Sequence, residues 1–333
     1  MVVDSVMGYG APHKQNAAAA HGGRLGGDEI RLTRAAYGWP EDSNGLVADE
    51  ARSVLRDALL ERSKPLYEEW HARLSQLEQY EPELADELRR MRAGEMPEHW
   101  QDELPSFDTD AKGVASRAAG GEVLNAFAQH IPWLLGGSAD LSPSTKTNLT
   151  FDGAGRFSAD DYSGRNLHFG IREHAMGAIA NGMALSYLRP YTSTFLVFSD
   201  YMKPPIRLAA IMELPVVFVF THDSIGVGED GPTHQPIEHL AAYRAIPGLD
   251  MVRPADANET AVAWRTILGN VETPAGLILS RQNLLTVDRD SGEFASAEGV
   301  TKGAYVLRDA KADLQVILIA TGSKNGSISV NGA

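Results

Sequence analysis

The stretch PVVFVFTHDSIGVGEDGPTHQPIEHLAAYRAI, residues 215–246, decides the fold. Its first eight residues form an unbroken β-branched and aromatic run, the pattern of a strand buried on both faces. Its last eleven, PIEHLAAYRAI, space their apolar residues as a helix does. A long polar loop lies between them. Strand, loop and helix make one βα unit, and the same unit recurs outward in both directions. SRAAGGEVLNAFAQHI reads as helix, WLLGGSADL as strand and loop, NLHFGI as strand and REHAMGAIANGMALSYL as helix. PYTSTFLVF is a strand, KPPIRLAAIMEL a helix, DMVRPA a strand, NETAVAWRTILGN a helix and AGLILSRQ a strand. Such alternation predicts an α/β fold, a mostly parallel sheet with helices on both faces. Ligands of that class sit outside the carboxyl ends of the strands. The residues to read are therefore Asp140, Gly170 to Glu173, Phe195 to Tyr201, His222 to His234 and Arg281.

The loop itself admits several readings. Gly226, Gly228 and Gly231 match the G-x-G-x-x-G spacing of a dinucleotide fingerprint, which needs the glycines to open a helix directly after a strand. Glu229 and Asp230 would set negative charge beside a pyrophosphate, and Pro232 and Pro236 delay the helix. A zinc site from His222, His234 and His239 needs three preorganised ligands. A third reading turns His222, Asp230 and His234 into one polar cavity, where imidazoles donate to phosphate or hydroxyls and a carboxylate accepts. A solvated surface loop is the fourth.

Further out the chain is less regular. Residues 1–40 are loop-rich. From Val47 to about Gly94 a charged segment carries Val54, Leu55, Leu59, Leu66, Trp70, Leu74 and Leu77 at helical spacing, as a solvated helical connector would, with Pro65 and Pro82 expected to interrupt or restart helices. RAGEMPEHWQDELPSFDTDAKG, Arg92–Gly113, reads as a linker. A second linker follows Arg281, and LQVILIATGS reads as a further buried strand with a glycine turn. The tail KNGSISVNGA has no periodicity. The domain boundaries expected are 1–112, 113–285 and 286–333.

The formal net charge of −14 argues against nucleic acid or an anionic membrane as a partner. With no cysteine, disulfides, thiolate nucleophiles and Cys-ligated zinc are excluded. The sequence shows neither a signal pattern nor a membrane-length apolar run, so a cytoplasmic location is the expectation.

The motifs THDSIGVGEDGPTHQP, GGSADLSPS, FGIREHAMGAIANGMAL, PYTSTFLVFSDY and LILSRQN, in this order, resemble the pyrimidine-binding domain of transketolases. GAPHKQNAAAAHGGRLGGDEI resembles the end of the family's diphosphate-binding domain. The resemblance implies the thiamine diphosphate-binding fold and transfer of a two-carbon ketol unit between sugar phosphates, a pentose phosphate pathway reaction. It implies that Glu173 hydrogen-bonds the aminopyrimidine ring nitrogen and shares its proton. Phe195, Phe198 and Tyr201 would cradle the pyrimidine, with Asp140 beside the cofactor. Arg117, Ser144, His222 and Arg281 would hold the sugar phosphate. His21, Asp230 and His234 would contact the ketose hydroxyls, His21 and His234 joining Glu173 as catalytic residues. Magnesium or calcium is expected for the family, but its G-D-G motif is missing, so no metal ligand is assigned; FDGAG at 151–155 does not match. The family's active site forms between two subunits, which implies a homodimer or a partner subunit carrying the diphosphate half-site, and a partial chain not competent alone. Alternatives are a non-catalytic or split-enzyme subunit, or a related enzyme of the dihydroxyacetone synthase or 1-deoxyxylulose-5-phosphate synthase type.

Overall fold

The computed structural model describes residues 2–110 and 112–323. The chain divides into two compact units, Met1–Glu81 and Pro82–Ala333. The expected non-periodic tail, 324–333, lies outside the described residues.

The first unit is loop-rich, with α1 (Ala19–Gly22), α2 (Gly27–Ala36) and α3 (Asp49–Tyr80). Polar ties replace a core. The buried Glu29 accepts hydrogen bonds from the His13 backbone N–H at 2.8 Å and is paired with its imidazole at 2.9 Å. Helix α3 buries none of its residues. It also continues past Pro65, which was expected to interrupt it. Leu, Glu, Arg and Ala on both sides of it favour the helix and offset the local cost that one proline imposes.

The second unit begins with α4 (Pro82–Ala93), then β1 (Val114–Ala115), α5 (Ser116–His130), β2 (Leu134–Ser138), α6 (Ser142–Thr145), β3 (Asn166–His168), α7 (Glu173–Leu185) and β4 (Arg189–Phe195). It continues with α8 (Lys203–Ile211), β5 (Val217–Thr221), α9 (His239–Arg244), β6 (Asp250–Val252), α10 (Ala257–Gly269), β7 (Ala275–Ile278) and β8 (Asn283–Leu284). Six strands form one parallel sheet in the order β3-β2-β4-β5-β7-β6. The α/β expectation holds. The period-two rule places the core on both faces. In β5, Val217 and Val219 pack with Phe127, Leu124 and Trp264 from α5 and α10. Phe218 and Phe220 pack on the opposite side with Met176, Ile206 and Tyr243. Arg189, buried at the start of β4, donates to the carbonyls of Pro215, Ile267, Leu268 and Asn270, so it closes the carboxyl end of α10. Burial lowers its pKa to about 10.

Three expectations need correction. The segment 92–113 is no free linker: Met96, Trp100, Leu104 and Phe107 pack on the core, and Phe107 exchanges two 2.9 Å hydrogen bonds with Asn258. Its apolar residues lack periodicity, which hid their burial. The stretch after Arg281 is no free linker either. Asp256 caps α10 and, with Glu259, binds Arg289, while Tyr305 donates to Glu259. Burial is the first cause of the raised Glu259 pKa, and the Tyr305 hydroxyl, the Ala255 N–H and Arg289 oppose it. Finally, LQVILIATGS forms no strand. Leu314 and Val316 to Ile319 are exposed, and no described strand pairs with them. An apolar run becomes a strand only where a neighbour supplies the ladder. Among the described residues no helix is long and apolar enough to cross a membrane.

Candidate active site

The sheet's connections place a crevice between β2 and β4. After β2 the chain steps to β3 on one side, and after β4 to β5 on the other. Such a reversal is where open α/β sheets take ligands. Asp140 leaves β2 with φ +64° and is exposed. Its turn is fixed from behind: Ser138 Oγ donates to the Ser193 carbonyl at 2.9 Å and accepts from the Leu141 N–H at 3.0 Å.

Across the crevice, β4 ends at Phe195, not at Phe198 as expected. Residues Leu196–Met202 form a 3-10 helix. With three residues per turn, positions 195, 198 and 201 fall on one face. Their rings stack in series, Phe195 on Phe198 at 5.7 Å and Phe198 on Tyr201 at 6.4 Å between centroids. The aromatic shelf thus exists because the strand stops early. Helix α7 packs along β4 and this 3-10 segment. Its first residue, Glu173, is buried, and its carboxylate has no hydrogen bond or ion pair among the described residues. A carboxylate with no partner at the edge of the crevice keeps all its acceptor sites for a ligand's donor.

The loop after β5 supplies a second cluster. His222 has φ +60° and is buried, its ring stacked 3.7 Å from that of Phe195 and its Nδ1 bonded to Thr221 Oγ1 at 2.9 Å. His234 meets Phe198 edge-on at 5.2 Å. Gly228 and Gly231 have φ +78° and +74°, so the loop needs glycine at both turns. It forms two short 3-10 turns, Gly228–Asp230 and Pro232–His234, and α9 does not begin until His239. The dinucleotide reading fails on that delay. Of the histidines considered for zinc, one belongs to a group able to share an ion among the described residues, His239 with Asp200 and Glu238; His222 and His234 do not.

Two arginines complete the pocket, and sequence reasoning did not see what brings them together. Strands β1 and β8 pair antiparallel, Ala115 opposite Asn283. Ser116 and Ser280, 164 residues apart, exchange N–H to Oγ hydrogen bonds at 3.0 and 2.7 Å. This clasp sets Arg117, at the start of α5, within electrostatic reach of Arg281. Burial first, then Arg281, lowers the Arg117 pKa, while Asp230 opposes. Arg281 lies against Gly228 and 3.6 Å from the Glu229 carboxylate. Arg117 donates to the backbone carbonyl of Ser144 at 2.6 Å, which sets the two expected phosphate contacts side by side. His222 feels the whole set. Burial chiefly, then Arg117, Arg281 and His234, depresses its pKa to about 4, against an opposing pull from Asp230. It is a neutral imidazole at pH 7. The structure therefore gathers Arg117, His222, Asp230, His234 and Arg281 around one pocket, with the aromatic shelf joined through Phe195. His21 is exposed in α1 of the first unit.

A parallel sheet with a ring shelf and an unpaired carboxylate at its carboxyl edge defines the class: an α/β domain with a candidate ligand site at the strand ends. Residues 112–286 match the family described as the transketolase pyrimidine-binding domain, and residues 1–97 match the transketolase thiamine diphosphate-binding domain. The chain belongs to the transketolase family. It is 47% identical over 326 residues to a transketolase of Bacillus subtilis (strain 168), covering 97% of this chain and 48% of that protein. It is 48% identical over 326 residues to a transketolase of Geobacillus stearothermophilus, with 97% and 48% covered. The crystal structure of transketolase from Leishmania mexicana superposes with a TM-score of 0.86 at 38% identity, over 98% of this chain and 47% of that one. The chain spans about half the length of the curated relatives it matches.

Proposed function

We propose that this chain supplies the pyrimidine half-site of a thiamine diphosphate-dependent transketolase that moves a two-carbon ketol unit between sugar phosphates. The observation that carries the reading is the Glu173 carboxylate, unpaired among the described residues, on the helix that packs along the Phe195–Phe198–Tyr201 shelf. These residues fit an aminopyrimidine, which offers a π-face and a ring nitrogen. Thiamine diphosphate, when bound, supplies the carbanion-stabilising centre. Glu173 would hold a proton at the pyrimidine nitrogen, and the three rings would orient the ring plane. Arg117 and Arg281 would bind the sugar phosphate, and the neutral His222 can donate to it without adding charge. Asp230 and His234 would meet the hydroxyls, with His21 and Asp140 assigned by resemblance. A solved transketolase of Pichia stipitis, 38% identical, is described in complex with sedoheptulose 7-phosphate, in keeping with a phosphosugar here.

The same proposal divides the chain into a remnant of the diphosphate-binding domain with its helical linker (1–112), the pyrimidine domain (113–285) and the start of a third domain (286–333). The diphosphate and its divalent cation would be held by a partner half-site. Helix α7 supports a second subunit there: Ile179 and Leu185 are exposed and apolar around Ala178 and Gly182, and Ile171 just before the helix is exposed too, a surface that solvent does not favour. A cytoplasmic homodimer in the pentose phosphate pathway is the assembly proposed. Calorimetry with thiamine diphosphate and magnesium tests the reading, on the chain alone and mixed with a partner half carrying a G-D-G motif. Tight binding and ketol transfer are expected only in the mixture. A correctly assembled mixture that binds the cofactor but transfers no ketol unit would refute the assignment.

A further inference from the structure

Beside His222 lies an ion pair that the pocket leaves unused. Asp223 and Arg253 have side chains only 1% and 6% exposed. Arg253, just past β6, donates to Asp223 Oδ2 from Nε at 3.0 Å and from Nη2 at 2.6 Å. The segment Thr321–Ser323 lies over the pair. Ser323 Oγ donates to the same carboxylate oxygen at 3.1 Å, and Arg253 Nη1 reaches Thr321 Oγ1 at 3.4 Å. Gly322 has φ +59°, and a Cβ added there would stand 2.6 Å from the Arg253 side chain. No larger residue fits without moving the arginine.

Asp223 directly follows His222 in the chain. A non-glycine residue at φ +60° is disfavoured, so something must hold His222 there. The Phe195 stack holds its ring, and the locked Asp223 holds its following peptide. We propose that Thr321–Ser323 and Arg253 form a positioning strap, which acts through Asp223 to keep the His222 imidazole in the pocket between Arg117 and Arg281 and so shapes that pocket for a phosphate-bearing ligand. The ligand class rests on the sugar-phosphate reading above; the strap does not. The strap residues act on the ligand only through His222. The charged groups facing His222 are Arg117 from α5, Asp230 and His234 from its own loop, and Arg281 after β7.

The test uses the whole chain and two variants of the strap, Gly322→Val and the double variant Thr321→Val with Ser323→Ala. Imidazole NMR follows His222 during titrations with acid and with inorganic phosphate, with circular dichroism and melting temperature as controls. In both variants His222 should titrate nearer its ordinary value, by about one unit or more, as burial is relieved. Phosphate should bind about five- to tenfold more weakly, with the fold intact. An unchanged His222 titration in the folded double variant overturns the strap, and that variant decides if Gly322→Val does not fold. If the parent shows no response to phosphate while His222 still shifts in the variants, the sugar-phosphate reading fails and the strap stands.

Discussion

Acid should destabilise this chain through His222, by an amount the structure sets. The ring is buried, stacked on Phe195 and pressed by Arg117 and Arg281, so its pKa falls from the ordinary 6.5 to about 4. Unfolding releases it to titrate normally. Between these two values the unfolded state binds more protons than the folded one, so stability rises with pH across this window. The contribution is fully present above the ordinary value and is lost as pH falls through the folded one. At about 1.36 kcal/mol per unit, the full loss is roughly 3 kcal/mol, of which about 2 kcal/mol is gone near pH 5. Urea unfolding of the parent and of His222→Asn, at neutral pH and near pH 5, isolates the effect from the other histidines. Asparagine is chosen because it tolerates positive φ. The parent should lose about 2 kcal/mol more than the variant on acidification. Equal losses would mean that His222 is not held in the neutral state, and the pocket electrostatics described here would be wrong.

Glu173→Gln in an assembled enzyme should cut turnover by about 10²–10⁴ while circular dichroism stays unchanged, since the amide cannot share a proton with the pyrimidine; near-normal turnover removes Glu173 from the mechanism. Arg281→Ala should cost phosphorylated donors about 1.5–3 kcal/mol and spare unphosphorylated ones, and equal losses on xylulose 5-phosphate and erythrulose would take Arg281 out of the phosphate site. Arg289→Met should lower stability by about 3–5 kcal/mol, because it leaves Asp256 and Glu259 buried without their cation. A melting temperature within error of the parent would show that this pair does not anchor the segment after residue 286.

The alternation of buried runs and helical spacings determined the parallel sheet, because strand and helix periods are local properties of the chain. The β-branched and aromatic run at 216–221, set among helical spacings, reads as a strand covered by helices on both faces. The motifs likewise carried the candidate residues, Glu173 at a helix start and His222 at a strand exit. What tertiary structure alone decided was which of them meet. Nothing near Arg117 signals Arg281; a serine clasp and a two-residue β pairing join them, and such contacts leave no periodicity in sequence. The Phe195–Phe198 run reads as strand by composition, with Tyr201 just past its end. It becomes a shelf because the backbone tightens to 3-10 where the sheet ends. The apolar run at 314–319 reads as a buried strand and is exposed, since burial depends on a partner and a periodicity cannot supply one.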